Sequence, residues 1–158
     1  MKNILLLGGT GFVGRALLAE LTRDDGLCVT VPTRHRERAK ALTVLPTVKV
    51  IEADVHDPAI LAQLMSSQDA VINLVGVLHS AEGNPYGADF ARAHVELPKK
   101  IVAAARVAGI RRVLHVSALK ASLDAPSAYL RSKAAGEAAV HAAGIAWTIF
   151  RPSVIFGE

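Results

Sequence analysis

One stretch near the start of the chain decides the fold: Ile4-Leu5-Leu6-Leu7-Gly8-Gly9-Thr10-Gly11-Phe12-Val13-Gly14. Its apolar run predicts a buried strand, and the glycines at 8, 11 and 14 predict a tight turn into an amphipathic helix. Such a turn lets backbone N–H groups and a helix N-terminus approach a pyrophosphate. A side chain at Gly8 or Gly11 would push the phosphates away, and Gly14 lets the helix pack on its strand. The stretch therefore predicts a dinucleotide-binding domain; the alternative is a tight turn without a ligand.

The composition agrees with one domain built around a parallel sheet. The chain has 158 residues, of which 51% are hydrophobic and only 4% aromatic, so Ala, Val, Ile and Leu must form the core. The net charge of +4 mildly favours anionic partners. The single cysteine, Cys28, excludes an internal disulfide and fits a reducing compartment. No apolar run approaches the roughly 20 residues that span a bilayer, so we expect a soluble, cytoplasmic chain.

Strand-like runs alternate with helical stretches along the whole chain. The predicted strands are residues 3–8, 28–33, 48–52, 70–75, 112–117 and 146–150, and the predicted helices are 12–23, 36–43, 58–65, 91–108 and 126–143. Asp57-Pro58 predicts a capped helix start, and Gly109 and Gly144 predict helix ends. This alternation predicts a three-layer α/β domain, a doubly wound Rossmann fold with strand order 3-2-1-4-5-6.

In such a sheet, ligands bind at the carboxyl ends of the strands, where the strand order reverses. We therefore expect six segments to face one crevice. They are residues 8–13, 33–36, 53–55, 74–79, 117–120 and 151–155.

The end of the second strand predicts which dinucleotide binds. A site for a bare ribose usually has an acidic residue here, but this chain has Thr33-Arg34-His35-Arg36. A guanidinium can donate two parallel hydrogen bonds to a phosphate, but it has no acceptor for the hydrogen of a ribose hydroxyl. The sequence therefore predicts NADP(H) in preference to NAD(H), through Arg34 helped by Arg36 or His35. The alternative is that these basic residues only form the solvent-exposed start of a helix and bind no ligand.

Two further turns predict contacts with the nucleotide. Asp54, after the third strand, could accept a hydrogen bond from the adenine amino group, or it could only cap a turn. Both alternatives stay open on the sequence. Gly76, at the end of the fourth strand, would let the ribose of the nicotinamide half come close.

The segment Tyr129-Leu130-Arg131-Ser132-Lys133 carries the second chemical signal. A spacing of four puts Tyr129 and Lys133 on one helical face. A phenol with a pKa near 10 exchanges protons poorly at neutral pH unless a nearby ammonium favours its phenolate. Lys133 is predicted to supply that charge and to hold the nicotinamide ribose. The alternative is an ordinary exposed helix pair.

Taken together, these motifs resemble the short-chain dehydrogenase/reductase superfamily, whose extended branches also carry a segment like Arg151-Pro152-Ser153-Val154-Ile155-Phe156-Gly157. Within it, the stretches 113–119 and 128–133 resemble bacterial relatives of the NADPH-binding accessory subunit of respiratory complex I. The resemblance covers essentially the whole chain, so residues 1–158 are expected to form one NAD(P)-binding domain.

The resemblance also implies roles for individual residues. Tyr129 would be the acid/base, Lys133 its partner and Ser117 the family's catalytic hydroxyl. The residues expected to bind the cofactor are Gly8, Thr10, Gly11, Phe12, Val13, Arg34, Arg36, Asp54, Val55, Leu74, Val75, Gly76, Lys133, Pro152 and Val154.

Three features depart from the family pattern. Ser117 is followed by Ala118-Leu119, so its hydroxyl sits one or two residues early for polarising a substrate carbonyl. His94 stands where many relatives carry an asparagine, and we expect a buried histidine with both ring nitrogens satisfied. Extended members continue past the Arg-Pro motif into a substrate-binding lobe, which is expected to be absent from this chain.

Two functions follow as expectations. The first is an NADP(H)-dependent oxidoreductase, or an epimerase-like relative, acting on an unknown small molecule through Tyr129. The second is a non-catalytic nucleotide-binding protein that docks on a partner such as a membrane-bound respiratory complex. Homodimer formation through the helices at 91–108 and 126–143 is compatible with both.

Nucleic-acid binding is not expected, because no aromatic residues interleave with the arginines at 34, 36 and 38. The six histidines are scattered without ligand spacing, so no metal site is expected.

Overall fold

The computed structural model describes residues 1–157 and contains one six-stranded sheet with the order β3-β2-β1-β4-β5-β6. Every neighbouring pair of strands is parallel; Leu5 of the first strand, for example, lies between Thr30 and Val71. The predicted fold class and strand order are confirmed. The strands are β1 (Lys2–Leu7), β2 (Leu27–Thr33), β3 (Val48–Glu52), β4 (Ala70–Asn73), β5 (Arg112–Val116) and β6 (Ala146–Phe150).

Helices cover both faces of the sheet. They are α1 (Phe12–Leu21), a 3₁₀ helix (Arg36–Leu42), α2 (Pro58–Met65), α3 (Ala88–Phe90), a π-helical segment (Ala91–Glu96), α4 (Leu97–Val107) and α5 (Ala128–His141). The α2 start is as predicted, because the Asp57 carboxylate accepts from the amides of Ala59 and Ile60 at 2.8 and 3.2 Å. Gly109 and Gly144 follow helix ends with φ of +70° and +67°, also as predicted.

Two helical segments differ from the prediction in type. Residues 36–42 form a 3₁₀ helix, not an α-helix; its buried residues are Ala39 and Leu42, and a spacing of three suits three residues per turn. The helix predicted at 91–108 starts at Ala88 and passes through a π-helical segment. Pro98 explains that segment, since its ring would clash with the carbonyl of His94 in a regular α-helix.

The core consists of two apolar layers, one on each face of the sheet. Successive side chains of β1 point into opposite layers: Leu5 and Leu7 belong to one layer and Leu6 to the other. The first layer lies beneath α2, α4 and α5, and the second beneath α1 and the 3₁₀ helix. This double burial leaves the carboxyl ends of the strands as the place where polar groups converge. Among residues 1–157, no helix combines the length and the apolar character needed to cross a membrane.

Candidate nucleotide-binding site

The glycine turn between β1 and α1 is built by close backbone contacts. Gly8 has φ of +83°, and a Cβ there would lie 3.1 Å from the backbone of both Leu74 and Val75. A Cβ on Gly14 would overlap the backbone of Gly8 and Gly9, which confirms the expected close packing of α1. A Cβ on Gly11 would meet only the Gly8 carbonyl oxygen, at 3.2 Å. Gly11 is therefore the glycine that keeps space open for a ligand, whereas Gly8 is needed for contact with the end of β4.

The same turn leaves backbone donors available. The Gly11 amide donates to the Gly8 carbonyl at 3.0 Å, but within residues 1–157 the amides of Thr10, Phe12 and Val13 have no protein acceptor. Gly11 is the N-cap of α1 and has no side chain to satisfy these donors. Amide N–H groups without an acceptor at a helix N-terminus, together with the helix dipole, form an anion-binding site.

A cleft of about 480 Å³ opens in front of these amides. It lies at the carboxyl ends of β1 to β4, where the strand order reverses, as expected for this fold. Its walls come from four of the six predicted segments; neither 117–120 nor 151–155 lines it. The lining residues are Gly8, Thr10, Gly11, Arg15, Pro32, Thr33, Arg34, His35, Arg38, Ala53, Asp54, Val55, His56, Leu74, Val75 and Gly76.

Three arginines line the cleft, two of them just after β2 and one in α1. Arg34 lines it as predicted, but Arg36 does not, and Arg38 takes its place. The 3₁₀ geometry explains this correction, because the Arg38 amide bonds back to His35 at 3.1 Å and so turns residue 38 toward the end of β2. Arg15 is the third, and its Nε donates to the Thr10 carbonyl at 3.0 Å. Within residues 1–157 none of the three forms an ion pair with a carboxylate, so their charge is available to an anion.

Asp54 caps a turn and also lines the cleft, so the capping role is present and the contact with adenine stays a prediction. Its Oδ1 accepts from the His56 amide at 3.0 Å, and its carbonyl accepts from the Asp57 amide at 3.1 Å. Its Oδ2 lies 3.6 Å from Nη2 of Arg92. One carboxylate oxygen is therefore engaged in the turn while the other is held beside a cation.

The far end of the cleft is organised by His94. This residue is 1% exposed; its Nε2 accepts from the Val77 amide at 3.0 Å and its Nδ1 pairs with Ser132 Oγ at 2.9 Å. The amide contact leaves the proton on Nδ1, which donates to the hydroxyl. Burial, with the Lys133 and His115 charges, lowers the pKa of His94 to about 3. The prediction of a buried, satisfied histidine is confirmed.

Tyr129 and Lys133 share a face of α5, but in the described structure no hydrogen bond joins their side chains. The Ser127 hydroxyl caps the helix, so Tyr129 lies in its first turn, with its ring edge-on to those of Phe90 and His94. Burial raises the pKa of Tyr129, the opposite of the expected effect of an ammonium. Lys133 is 4% exposed, and its Nζ donates to the Val116 carbonyl at 2.7 Å. Burial lowers the pKa of Lys133 to about 8, although Glu137 acts in the raising direction.

Ser117 is buried in a polar contact with Glu137 of α5. It is 3% exposed and its hydroxyl lies beside the Glu137 carboxylate without a hydrogen bond of normal geometry. Burial acts to raise the pKa of Glu137, but Arg151, bonded to both carboxylate oxygens at 2.9 and 2.5 Å, and the Ser117 hydroxyl lower it overall. The assignment of Ser117 as the substrate-polarising hydroxyl therefore has no geometric support, because its side chain is buried.

The segment after β6 passes beside the cleft without lining it. The Pro152 carbonyl accepts from the Leu119 amide at 2.8 Å, and Val154 is exposed. At its end Gly157 reaches Phe12, since a Cβ on Gly157 would lie 3.1 Å from Cζ of that ring. Gly157 thus lies against the ring at the start of α1, and contact of Phe12, Pro152 and Val154 with a cofactor stays a prediction.

Sequence reasoning missed four residues at this site: Arg15, Arg38, His56 and Arg92. A signal existed for the first, because Arg15 directly follows the Gly14 of the glycine turn. Arg92 had no signal, because its neighbour Asp54 lies 38 positions away and on another element. Within the described range 1–157, no three His, Cys, Asp or Glu side chains cluster closely enough to hold a metal ion.

The fold and the site define a nicotinamide-dinucleotide-binding domain of the Rossmann type. The chain belongs to the NAD(P)H-binding family, whose model matches residues 8–157. It is 34% identical over 157 residues to subunit 9 of the NADH dehydrogenase [ubiquinone] 1 alpha subcomplex from Mus musculus, covering 97% of this chain and 40% of that protein. It is 35% identical to the ceramide reductase of Caulobacter vibrioides, covering 98% and 46%.

A solved structure with the same fold is the UDP-glucuronic acid 4-epimerase from Bacillus cereus in complex with NAD. Its TM-score is 0.82 at 18% identity, with 98% of this chain and 58% of that chain covered. The resemblance to relatives of the complex I subunit, inferred from sequence, is confirmed. The chain spans less than half the length of the two curated relatives.

Proposed function

We propose that this chain binds NADP(H) in the cleft and forms the nucleotide-binding part of an oxidoreductase of the short-chain dehydrogenase/reductase type. One observation carries the proposal: free amides at the α1 N-terminus open into a cleft that is also lined, just after β2, by Arg34 and Arg38, neither of which pairs with a carboxylate in the described residues. A dinucleotide with a 2′-phosphate carries two anionic groups, the pyrophosphate and the 2′-phosphate, one for each of these two sets of donors. The open space in front of Gly11 supports the fit of a pyrophosphate.

In this proposal the cleft segments divide the dinucleotide among them. The amides from Thr10 to Val13 hold the pyrophosphate, and Arg34 with Arg38 holds the 2′-phosphate. Asp54 and Val55 meet the adenine, while Leu74 to Gly76 meet the ribose of the nicotinamide half. Lys133 Nζ lies 3.9 Å from a Cβ position on Gly76, so it is close to that ribose site.

Cofactor preference is tested by the dissociation constants of NADPH and NADH, measured by titration calorimetry. Charge-assisted hydrogen bonds contribute roughly 1.5–3 kcal/mol, so Arg34→Ala is expected to weaken NADPH binding about tenfold or more and to change NADH binding little. Arg36→Ala is the matched control, since Arg36 lies in the same basic run but outside the cleft. Tighter binding of NADH than of NADPH by the unmodified chain contradicts the proposal.

The proposed chemistry assigns the proton to Tyr129. The bound nicotinamide supplies or accepts the hydride. Because burial raises the pKa of Tyr129, its phenol stays protonated at neutral pH and is suited to donate a proton during reduction of a carbonyl. Lys133 carries three N–H donors, and its bond to Val116 leaves two for the ribose and the phenol.

A second candidate function is non-catalytic, with the nucleotide as a structural ligand and the protein docked on a membrane-bound respiratory complex. The burial of Ser117 and the absence of a Tyr129–Lys133 hydrogen bond in the described structure favour it. Similarity to a complex I subunit from Mus musculus also supports it. Ligand at a hundred times its Kd adds about 2.7 kcal/mol to stability, which is reason enough to retain a nucleotide.

Tyr129→Phe separates the two candidates. Loss of NADPH-dependent reduction across a panel of carbonyl compounds, with NADPH affinity unchanged, supports the oxidoreductase. Unchanged turnover in the variant contradicts the role of Tyr129 and favours the docking function.

A further inference from the structure

The turn Asp54–Asp57 between β3 and α2, hereafter the adenine turn, is held from outside the cleft by two cations. Lys100 of α4 donates from Nζ to the His56 carbonyl at 2.7 Å, across 44 positions of sequence. Arg92 of the π-helical segment lies 3.6 Å from Asp54 Oδ2. Both cations come from the same run of helix, which is packed against the sheet by Leu97 and Ile101. The turn is therefore tied to a rigid element.

The electrostatics of His56 support this arrangement. Burial lowers its pKa first, followed by the Arg92 charge; Lys100 and Arg34 add to the effect, against the raising influence of Asp54. His56 is thus a neutral group surrounded by cations that face the adenine turn. The cations also balance the carboxylate of Asp54, which stands at the wall of the cleft.

The hydrogen bonds of Asp54 determine which oxygen is left for a ligand. Oδ1 accepts from the His56 amide, so the His56 position set by Lys100 fixes the plane of the carboxylate. Oδ2 stays available beside Arg92. A carboxylate only accepts hydrogen bonds, so Oδ2 suits a base with an amino group and repels a base with an oxo group at the same place.

We propose that Arg92 and Lys100 are positioning residues that orient Asp54 to select adenine over 6-oxopurines. The inference rests on the proposed function, because it takes the cleft as the dinucleotide site. It assigns to the helix 88–107 a role in base selection that the lining of the cleft does not reveal. Neither residue needs to touch the nucleotide for this effect.

The test compares NADPH with its 6-oxo analogue, reduced nicotinamide hypoxanthine dinucleotide phosphate. Dissociation constants are measured for the unmodified chain, Arg92→Met, Lys100→Met and the control Lys99→Met, whose side chain is exposed on the same helix. The unmodified chain is expected to prefer NADPH by about tenfold, the worth of one hydrogen bond to a charged group. Arg92→Met and Lys100→Met should each reduce that ratio at least about threefold, while Lys99→Met keeps it. Arg92→Lys should restore part of the ratio.

The ratio is insensitive to partial unfolding and to loss of net charge, since both weaken the two ligands equally. An unchanged ratio in Arg92→Met and Lys100→Met, even with weaker binding of both ligands, overturns the inference and leaves the proposed function standing. If the unmodified chain binds neither dinucleotide, the proposed function fails first and the inference with it.

Discussion

Replacing Gly11 with alanine separates nucleotide binding from folding. The added methyl group would meet one protein atom, the Gly8 carbonyl oxygen, at 3.2 Å, and would otherwise project into the cleft in front of the free amides. Gly11 has φ of −75° and ψ of 177°, which alanine adopts without strain. Alanine is a poorer N-cap than glycine, but it also reduces the entropy of the unfolded chain, so the net change in stability is within about 1 kcal/mol.

Gly14→Ala is the matched comparison, because its methyl group would overlap the backbone of Gly8 and Gly9. Backbone cannot rotate away as a side chain can, so the cost is that of overpacking, about 1–3 kcal/mol or more. For a chain of this length each kcal/mol moves the melting temperature by roughly 2–4 °C. We therefore expect a shift of at most about 4 °C for Gly11→Ala, and about 2–12 °C for Gly14→Ala.

The assay pairs differential scanning calorimetry with titration of NADPH. Gly11→Ala should melt close to the unmodified protein and bind NADPH at least about tenfold more weakly, which is 1.4 kcal/mol. Gly14→Ala should lose stability as well as binding. If Gly11→Ala binds NADPH as tightly as the unmodified chain, no pyrophosphate lies against the turn and the placement of the ligand is refuted.

Two further predictions concern the frame of the site. The pKa of His94 is about 3 in the folded chain against 6.5 unfolded, so the unfolded state binds more protons on acidification, and His94 by itself should lower stability by about 2 kcal/mol between pH 7 and pH 5. Burial lowers the pKa of His115 to about 4, so His115 adds a loss in the same direction. In urea melts His94→Gln should reduce this slope, whereas replacing the exposed His141 should leave it; an equal slope in both variants is the contrary result. Arg131 donates two hydrogen bonds to the Pro85 carbonyl in the loop at 79–89 and one each to the carbonyls of Ala125 and Pro126, so it ties that loop to the start of α5, and Arg131→Met should speed amide exchange in the loop. The matched control is Arg111→Met, because Arg111 is exposed. Unchanged amide exchange in Arg131→Met would show that the loop is ordered without the Arg131 hydrogen bonds.

The sheet and its order were predictable because they depend on local patterns. Short apolar runs, one glycine turn and strict alternation leave few topologies for a parallel sheet. The type of the helical segments was not predictable, because it depends on which residues of other elements each segment packs against. The 3₁₀ form of 36–42 follows from which residues it buries, and the π-helical segment follows from Pro98 against the carbonyl of His94.

The same division applies to the site. Arg34, Asp54 and Gly76 could be placed at the cleft because each lies within three residues of the end of a strand and so stands at the sheet edge. Arg36 was predicted in place of Arg38 because the helix type decides which side chain turns inward. The surroundings of Ser117 could not be predicted from sequence, because its hydroxyl is buried beside Glu137 of α5, which Arg151 binds from beyond β6.

The most direct measurement is a crystal structure of the chain soaked with NADPH. The account predicts pyrophosphate oxygens about 3 Å from the amides of Phe12 and Val13, and the 2′-phosphate paired with Arg34. It also predicts the nicotinamide ring on the side of the cleft nearest Tyr129. A dinucleotide bound away from the glycine turn, or none retained at saturating concentration, would contradict the central claim.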